Sequence, residues 1–107
     1  GALLAGFMNP CYFMFDLEEL ERSGRFLVKY RLPYAEPGSL TGEDLLRWQS
    51  SGDMAEFGHS LETQVGGQVA AGFAITGLYE DWWSDEATLL NRFMPTSIAT
   101  RAIKPPG

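Results

Sequence analysis

Residues 2–8 form a short, almost continuous apolar run, the pattern of a strand covered on both faces. Asn9 and Pro10 end it. Residues 25–32 alternate, with Phe26, Val28, Tyr30 and Leu32 against Arg25, Lys29 and Arg31, which predicts a half-exposed antiparallel strand. Ser60 precedes residues 61–71, where Leu61, Val65 and Val69 recur at every fourth position, so this stretch reads as the best helix of the chain. Gly72 supplies a left-handed stop. Residues 73–80 then set Phe73, Ile75, Gly77 and Tyr79 against Ala74, Thr76, Leu78 and Glu80, a strand pattern. Residues 96–103, rich in β-branched side chains, form a last strand before Pro105 and Pro106.

Shorter elements fill the gaps. Asp16 can cap a helix over 17–22, with Glu18 and Glu19 at its positive end and Ser23-Gly24 as its stop. Pro33, Pro37 and Gly38 mark a loop. Thr41 then opens a helix over 42–49 with Leu45, Leu46 and Trp48 on its apolar side, closed by Ser50-Ser51-Gly52. Residues 54–58 read as a brief strand, and Ser84 as the cap of a short helix over 85–92. The segment 11–58 is too long for an ordinary strand-to-helix loop, and such excursions carry lids or substrate contacts. The chain thus divides into a central strand (1–10), an inserted α+β segment (11–58) and a helix, strand, short helix and antiparallel strand (59–107).

Composition narrows the class. With 45% apolar, 13% aromatic and 21% charged residues, the chain belongs with folded domains. A net charge of -6, with its 8 basic residues scattered, argues against a surface that tracks nucleic-acid phosphates. Cys11, the single cysteine, leaves no disulfide frame and suits a reducing cytoplasm. It reads as a small hydrophobe, not a nucleophile. The opening apolar run lacks a basic flank and falls short of the about 20 residues of a membrane span.

Few residues announce chemistry. Asn9 stands just past the carboxyl end of the first strand, where open α/β sheets contact ligands, although a turn residue before proline is an equal reading. His59, the lone histidine, leads into the main helix. It is either structural or a substrate-side acid or base, and no second His or Cys stands at zinc spacing. Tyr79, Glu80, Asp81, Trp82 and Trp83 could line a pocket or pack under a loop. Glu18, Glu19 and Glu21 read as a solvated helix face, as do Glu43 and Asp44. Gly66-Gly67 costs a helix about 1 kcal/mol per glycine, a pattern that close packing on a sheet explains better than ligand approach.

The Ser60 to Asp81 unit with its leading His59, the Asn9-Pro10 strand end and the Phe93-Met94-Pro95-Thr96 approach to the last strand together resemble the carboxyl-terminal half of class I S-adenosylmethionine-dependent methyltransferases. The resemblance implies a Rossmann-like α/β sheet. Residues 2–8 stand as its fifth strand, 61–71 as the covering helix, 73–80 as the sixth strand and 96–103 as the antiparallel seventh. In that family a glycine-rich loop after the first strand and an acidic residue ending the second hold the cofactor, and neither is present here.

The resemblance therefore implies a fragment that supplies substrate wall for a small-molecule methyl acceptor. S-adenosylmethionine belongs to the parent protein and is not expected on this piece. Catalytic candidates are His59, Tyr79 and Asp81, and substrate contacts are Asn9, Tyr12, His59, Tyr79 and Trp82. No metal, nucleic acid or membrane partner is expected. Residues 2–8, deprived of a fourth-strand neighbour, should self-associate through their open edge. The competing reading is a free-standing α+β module that binds a small ligand or itself, without catalysis.

Overall fold

The computed structural model describes residues 1–84 and 86–106 and is a mixed α/β chain with two antiparallel sheets. In the larger sheet β5 (Ser97–Ile103) lies between β1 (Ala2–Met8) and β4 (Ala74–Asp81), antiparallel to both. β1 and β4 consequently run parallel to each other. The predicted last strand is present and alternates: Ile98, Thr100 and Ala102 are buried, and Ala99 and Arg101 are exposed.

β1 is a strand, as predicted, but it is not covered on both faces. Among the described residues it pairs with β5 alone, and Leu4 is 77% exposed. Leu3, Ala5 and Phe7 stand opposite Ala102, Thr100 and Ile98 on the covered side, which leaves Leu4 and Gly6 on the open one. An unbroken apolar run records what a strand avoids, and it does not count its neighbours.

β4 follows Gly72, whose φ of +94° permits the left-handed helix stop, and Phe73 N closes it by donating to Gln68 O at 3.0 Å. A register shift between Ile75 and Gly77 bulges the strand. Beyond it, Gly77 leaves room for an aromatic ring, because a Cβ there would lie 2.7 Å from the Tyr79 hydroxyl.

The main helix departs from expectation. Ser60 Oγ does accept from Thr63 N, at 3.2 Å, but Glu62–Gly66 winds as a π-helix before α3 (Gly67–Ala70) begins. The wider π turn breaks the fourfold spacing, so Leu61 and Val69 stay 51% and 58% exposed instead of forming a buried stripe. Contact with the sheet is polar instead, Gln68 Nε2 donating to Thr100 Oγ1 at 2.9 Å. Close helix-to-sheet packing does not explain Gly66-Gly67. A Cβ at Gly67 would meet nothing within 4 Å, and one at Gly66 only the helix's own Glu62 Cγ at 3.8 Å. The pair marks the change from π to α winding.

Between β4 and β5 the predicted helix over 85–92 begins at a residue outside those described. What forms is a 3-10 turn, Leu89–Arg92, capped by Thr88 rather than Ser84, with Thr88 Oγ1 accepting from Leu90 N at 3.3 Å. Asn91, only 5% exposed, is the hub of this connection. Its Oδ1 accepts from Trp83 N at 3.2 Å and from Thr96 Oγ1 at 2.7 Å, and its Nδ2 donates to Ser84 O at 2.8 Å.

Residues 11–58 form the second part of the chain. α1 (Leu17–Ser23) starts where Asp16 accepts from Glu19 N at 3.0 Å and ends at Gly24, as predicted. The expected strand over 25–32 is absent: one isolated bridge joins Phe15 to Val28, and Lys29 N and Tyr30 N both spend their donors on Met14 O, at 2.7 and 3.0 Å. A two-residue ladder of β2 (Tyr34–Ala35) and β3 (Phe57–Gly58) flanks α2 (Gly42–Ser51). Phe13, Tyr34 and Leu40 form the core here, with Tyr30, Leu45 and Trp48 packed against it.

Candidate functional site

The inserted segment encloses an open groove of about 1040 Å³, walled by residues of α1, α2, β2 and the stretch from Ser50 to Glu56. That volume lies at the upper end of small-molecule sites, about 300–1,000 Å³. One wall is aromatic. Tyr30 and Tyr34 rings approach at 5.0 Å between centroids, Phe13 stacks on Tyr34 at 5.6 Å, and Trp48 completes the wall.

Glu36 organises the floor. Its Oε2 accepts from Tyr34 Oη at 2.6 Å, and its Oε1 accepts from Trp48 Nε1 at 3.1 Å and from Glu56 N at 3.0 Å. Glu36 N in turn donates to Glu56 O at 3.1 Å, which holds the two acidic residues side by side. Burial, and then the charges of Glu36 and Asp53, push the Glu56 carboxyl above its ordinary pKa. Burial and the Glu36 hydrogen bond likewise drive the Tyr34 phenol well up.

On the opposite rim the acids are ion-paired. Lys29 Nζ lies 2.6 Å from Asp44 Oδ2 and 3.4 Å from Asp16 Oδ2, and Arg47 pairs with Asp44 and with Glu18. Tyr30 Oη also donates to Asp44 Oδ2, at 3.2 Å. The Lys29 hydrogen bond holds the Asp44 carboxyl below the usual range despite partial burial, and the same bond raises Lys29. Asp44 is therefore no idle solvated acid, in contrast to the sequence reading; it ties α2 to the segment before it.

The residues singled out from sequence lie elsewhere. Asn9, Asp81 and Trp82 share one end of the larger sheet, since Met8 and Asp81 both stand opposite Ser97. Asn9 is committed to the chain itself: Oδ1 accepts from Cys11 N at 3.1 Å, and Nδ2 donates to Pro95 O at 3.2 Å. Asp81 Oδ1 accepts from Trp82 N at 3.0 Å, while Tyr79 and Trp82 are 60% and 54% exposed. Trp83 is 43% exposed, so neither tryptophan is packed under the loop.

His59 is exposed, its ring stacked on Phe57 at 5.7 Å. Tyr12 is half-buried against Phe13, and burial, then Glu56 and Glu21, raise its phenol. None of these residues lines the groove. Its own residues, Tyr30, Tyr34, Glu36, Trp48 and Glu56, escaped the sequence reading. The available signal was three aromatic residues within twenty positions, in a segment already marked as an excursion.

Among the described residues no helix is long and apolar enough to cross a membrane, and no three His, Cys, Asp or Glu side chains are placed to hold a metal ion. No protein-family model matches the chain. The chain is 42% identical over 104 residues, 97% of its length, to a Bacillus subtilis protein named uncharacterized methyltransferase YbaJ, and it spans 39% of that relative's length.

Proposed function

We propose that the chain is the substrate-side segment of an S-adenosylmethionine-dependent methyltransferase acting on a small molecule in the cytoplasm. The observation that carries this is the 42% identity across 97% of the chain to a protein named as a methyltransferase. The sheet supports it. β1 and β4 run parallel with antiparallel β5 between them, as a fifth, sixth and seventh strand of the Rossmann-like sheet require. Asn9 and Asp81 end the two parallel strands on one side, where open α/β sheets take ligands.

The described residues do not fit the cofactor itself. The turn after β1 is Asn9-Pro10, closed on Cys11 N and Pro95 O, with no glycine-rich cradle of backbone donors. Cofactor binding is therefore assigned to other parts of the parent protein. The protein carrying this chain at full length should bind S-adenosylmethionine by equilibrium dialysis and pass a labelled methyl group to a small acceptor. Absence of binding at millimolar cofactor would remove the reading.

The open side of β1 supports the expected self-association. An unpaired apolar strand edge recruits another strand, from the same protein or from a second copy. The isolated 107-residue chain should scatter light as a dimer or larger at micromolar concentration. A monomer whose Ala2–Met8 amides exchange freely would show that the edge needs no cover.

A further inference from the structure

We propose that residues 25–31 form a docking edge for a strand supplied by the part of the protein beyond these 107 residues, an extended segment that sets acids against Arg25 and Arg31. The backbone of this stretch is half used. Its one bridge, Phe15 to Val28, is made by the neighbours of the bridged residues: Asp16 N donates to Leu27 O at 2.8 Å, and Lys29 N to Met14 O at 2.7 Å. In an antiparallel pair of that kind the N–H and C=O of Val28 itself turn to the other side, and Phe26, two positions back, shares their direction. Among the described residues no hydrogen bond reaches the backbone N–H or C=O of either. Both residues are exposed, so an unpaired strand edge stands open to a second neighbour.

The side chains state what that neighbour must carry. Phe26 meets exposed Phe93 edge-on at 5.2 Å, and exposed Val28 extends this apolar strip along the free backbone. Residues 22–31 hold Arg22, Arg25, Lys29 and Arg31 and no acid. Lys29 is taken up by Asp16 and Asp44, and Arg22 and Arg25 share Glu19, whereas Arg31 is exposed with no ion pair among the described residues. A strand that alternates apolar and acidic residues satisfies both sides of the edge. A second copy does not: pairing about Leu27 sets Arg25 against Lys29, and pairing about Val28 sets Arg25 against Arg31. The occupant nearest at hand is the same protein, because the Bacillus subtilis relative carries ample further chain, these residues spanning 39% of its length.

Hydrogen exchange on the full-length protein, read residue by residue, tests this. The amides of Phe26 and Val28 should exchange at least about a hundredfold more slowly than that of Met54, which is exposed and has no hydrogen bond to its N–H among the described residues. Val28→Pro, which removes a donor from the edge, should free the Phe26 amide, while Val28→Ala should keep both amides protected. Arg25→Glu together with Arg31→Glu should speed both about tenfold, by setting like charges across the pair. Exchange at Val28 as fast as at Met54, or protection untouched by the double charge reversal, would overturn the inference. Protection that grows with protein concentration would also overturn it, because the strand would then come from a second molecule. Cofactor binding without protection at Val28 would remove this edge's assignment alone, and protection without cofactor binding would support it while removing the methyltransferase reading.

Discussion

Leu90→Ala should lower the unfolding free energy by about 2–5 kcal/mol, the range for removing a large side chain from a packed interior. Leu90 is 2% exposed and, with Thr96, is among the largest fully buried side chains of the described chain. It is held in place locally: its carbonyl accepts from Phe93 N at 2.9 Å and from Met94 N at 3.0 Å, so the backbone cannot easily collapse into the vacated space. Adjacent Asn91 depends on that same turn for its bonds to Trp83, Ser84 and Thr96. Urea denaturation of wild type and variant should show a lower midpoint at unchanged slope. A loss under about 1 kcal/mol would mean that the turn relaxes to fill the cavity.

Gly58→Val acts on the other part of the chain and in the opposite sense, by crowding. A Cβ at Gly58 would stand 2.5, 2.7 and 2.9 Å from Cδ2, Cγ and Cβ of Phe13. These are the root of the ring, not a flexible tip, so the whole side chain has to move. Phe13 is 9% exposed and stacked on Tyr34, whose hydroxyl is bonded to Glu36. Overpacking of this kind costs about 1–3 kcal/mol. The aromatic cluster around Phe13 should shift with it. Wild-type stability would show that Phe13 has a second resting place.

How far the sequence foretold this structure depends on how local each signal was. α1 was readable because Asp16, Glu18, Glu19 and Gly24 lie within one or two turns of the bonds they make. β5 was readable because a β-branched run bounded by prolines favours a strand, and its burial of Ile98, Thr100 and Ala102 follows. The alternation of residues 25–32 is equally regular, yet Val28 is 70% exposed and no ladder forms. Alternation permits a strand, and only a partner with free donors and acceptors makes one.

The helix over 61–71 shows a second limit. Its fourfold spacing assumed α winding throughout, and the π turn before Gly67 moved Leu61 and Val69 off a common buried face. The groove shows a third. Its organising bonds run from Glu36 to Trp48 and to Glu56, 12 and 20 positions away, a separation that neither spacing nor composition encodes. Asn9 and Asp81 stand at strand ends, and the parallel course of β1 and β4 brings them to one side of the sheet.

Asn91 joins three points of the passage from β4 to β5 through a single amide group. A clasp with one rivet has no intermediate positions. Releasing Trp83, Ser84 or Thr96 leaves a buried amide short of a partner, so this passage should open as a unit or stay shut, and the tryptophans at its mouth should report that event together.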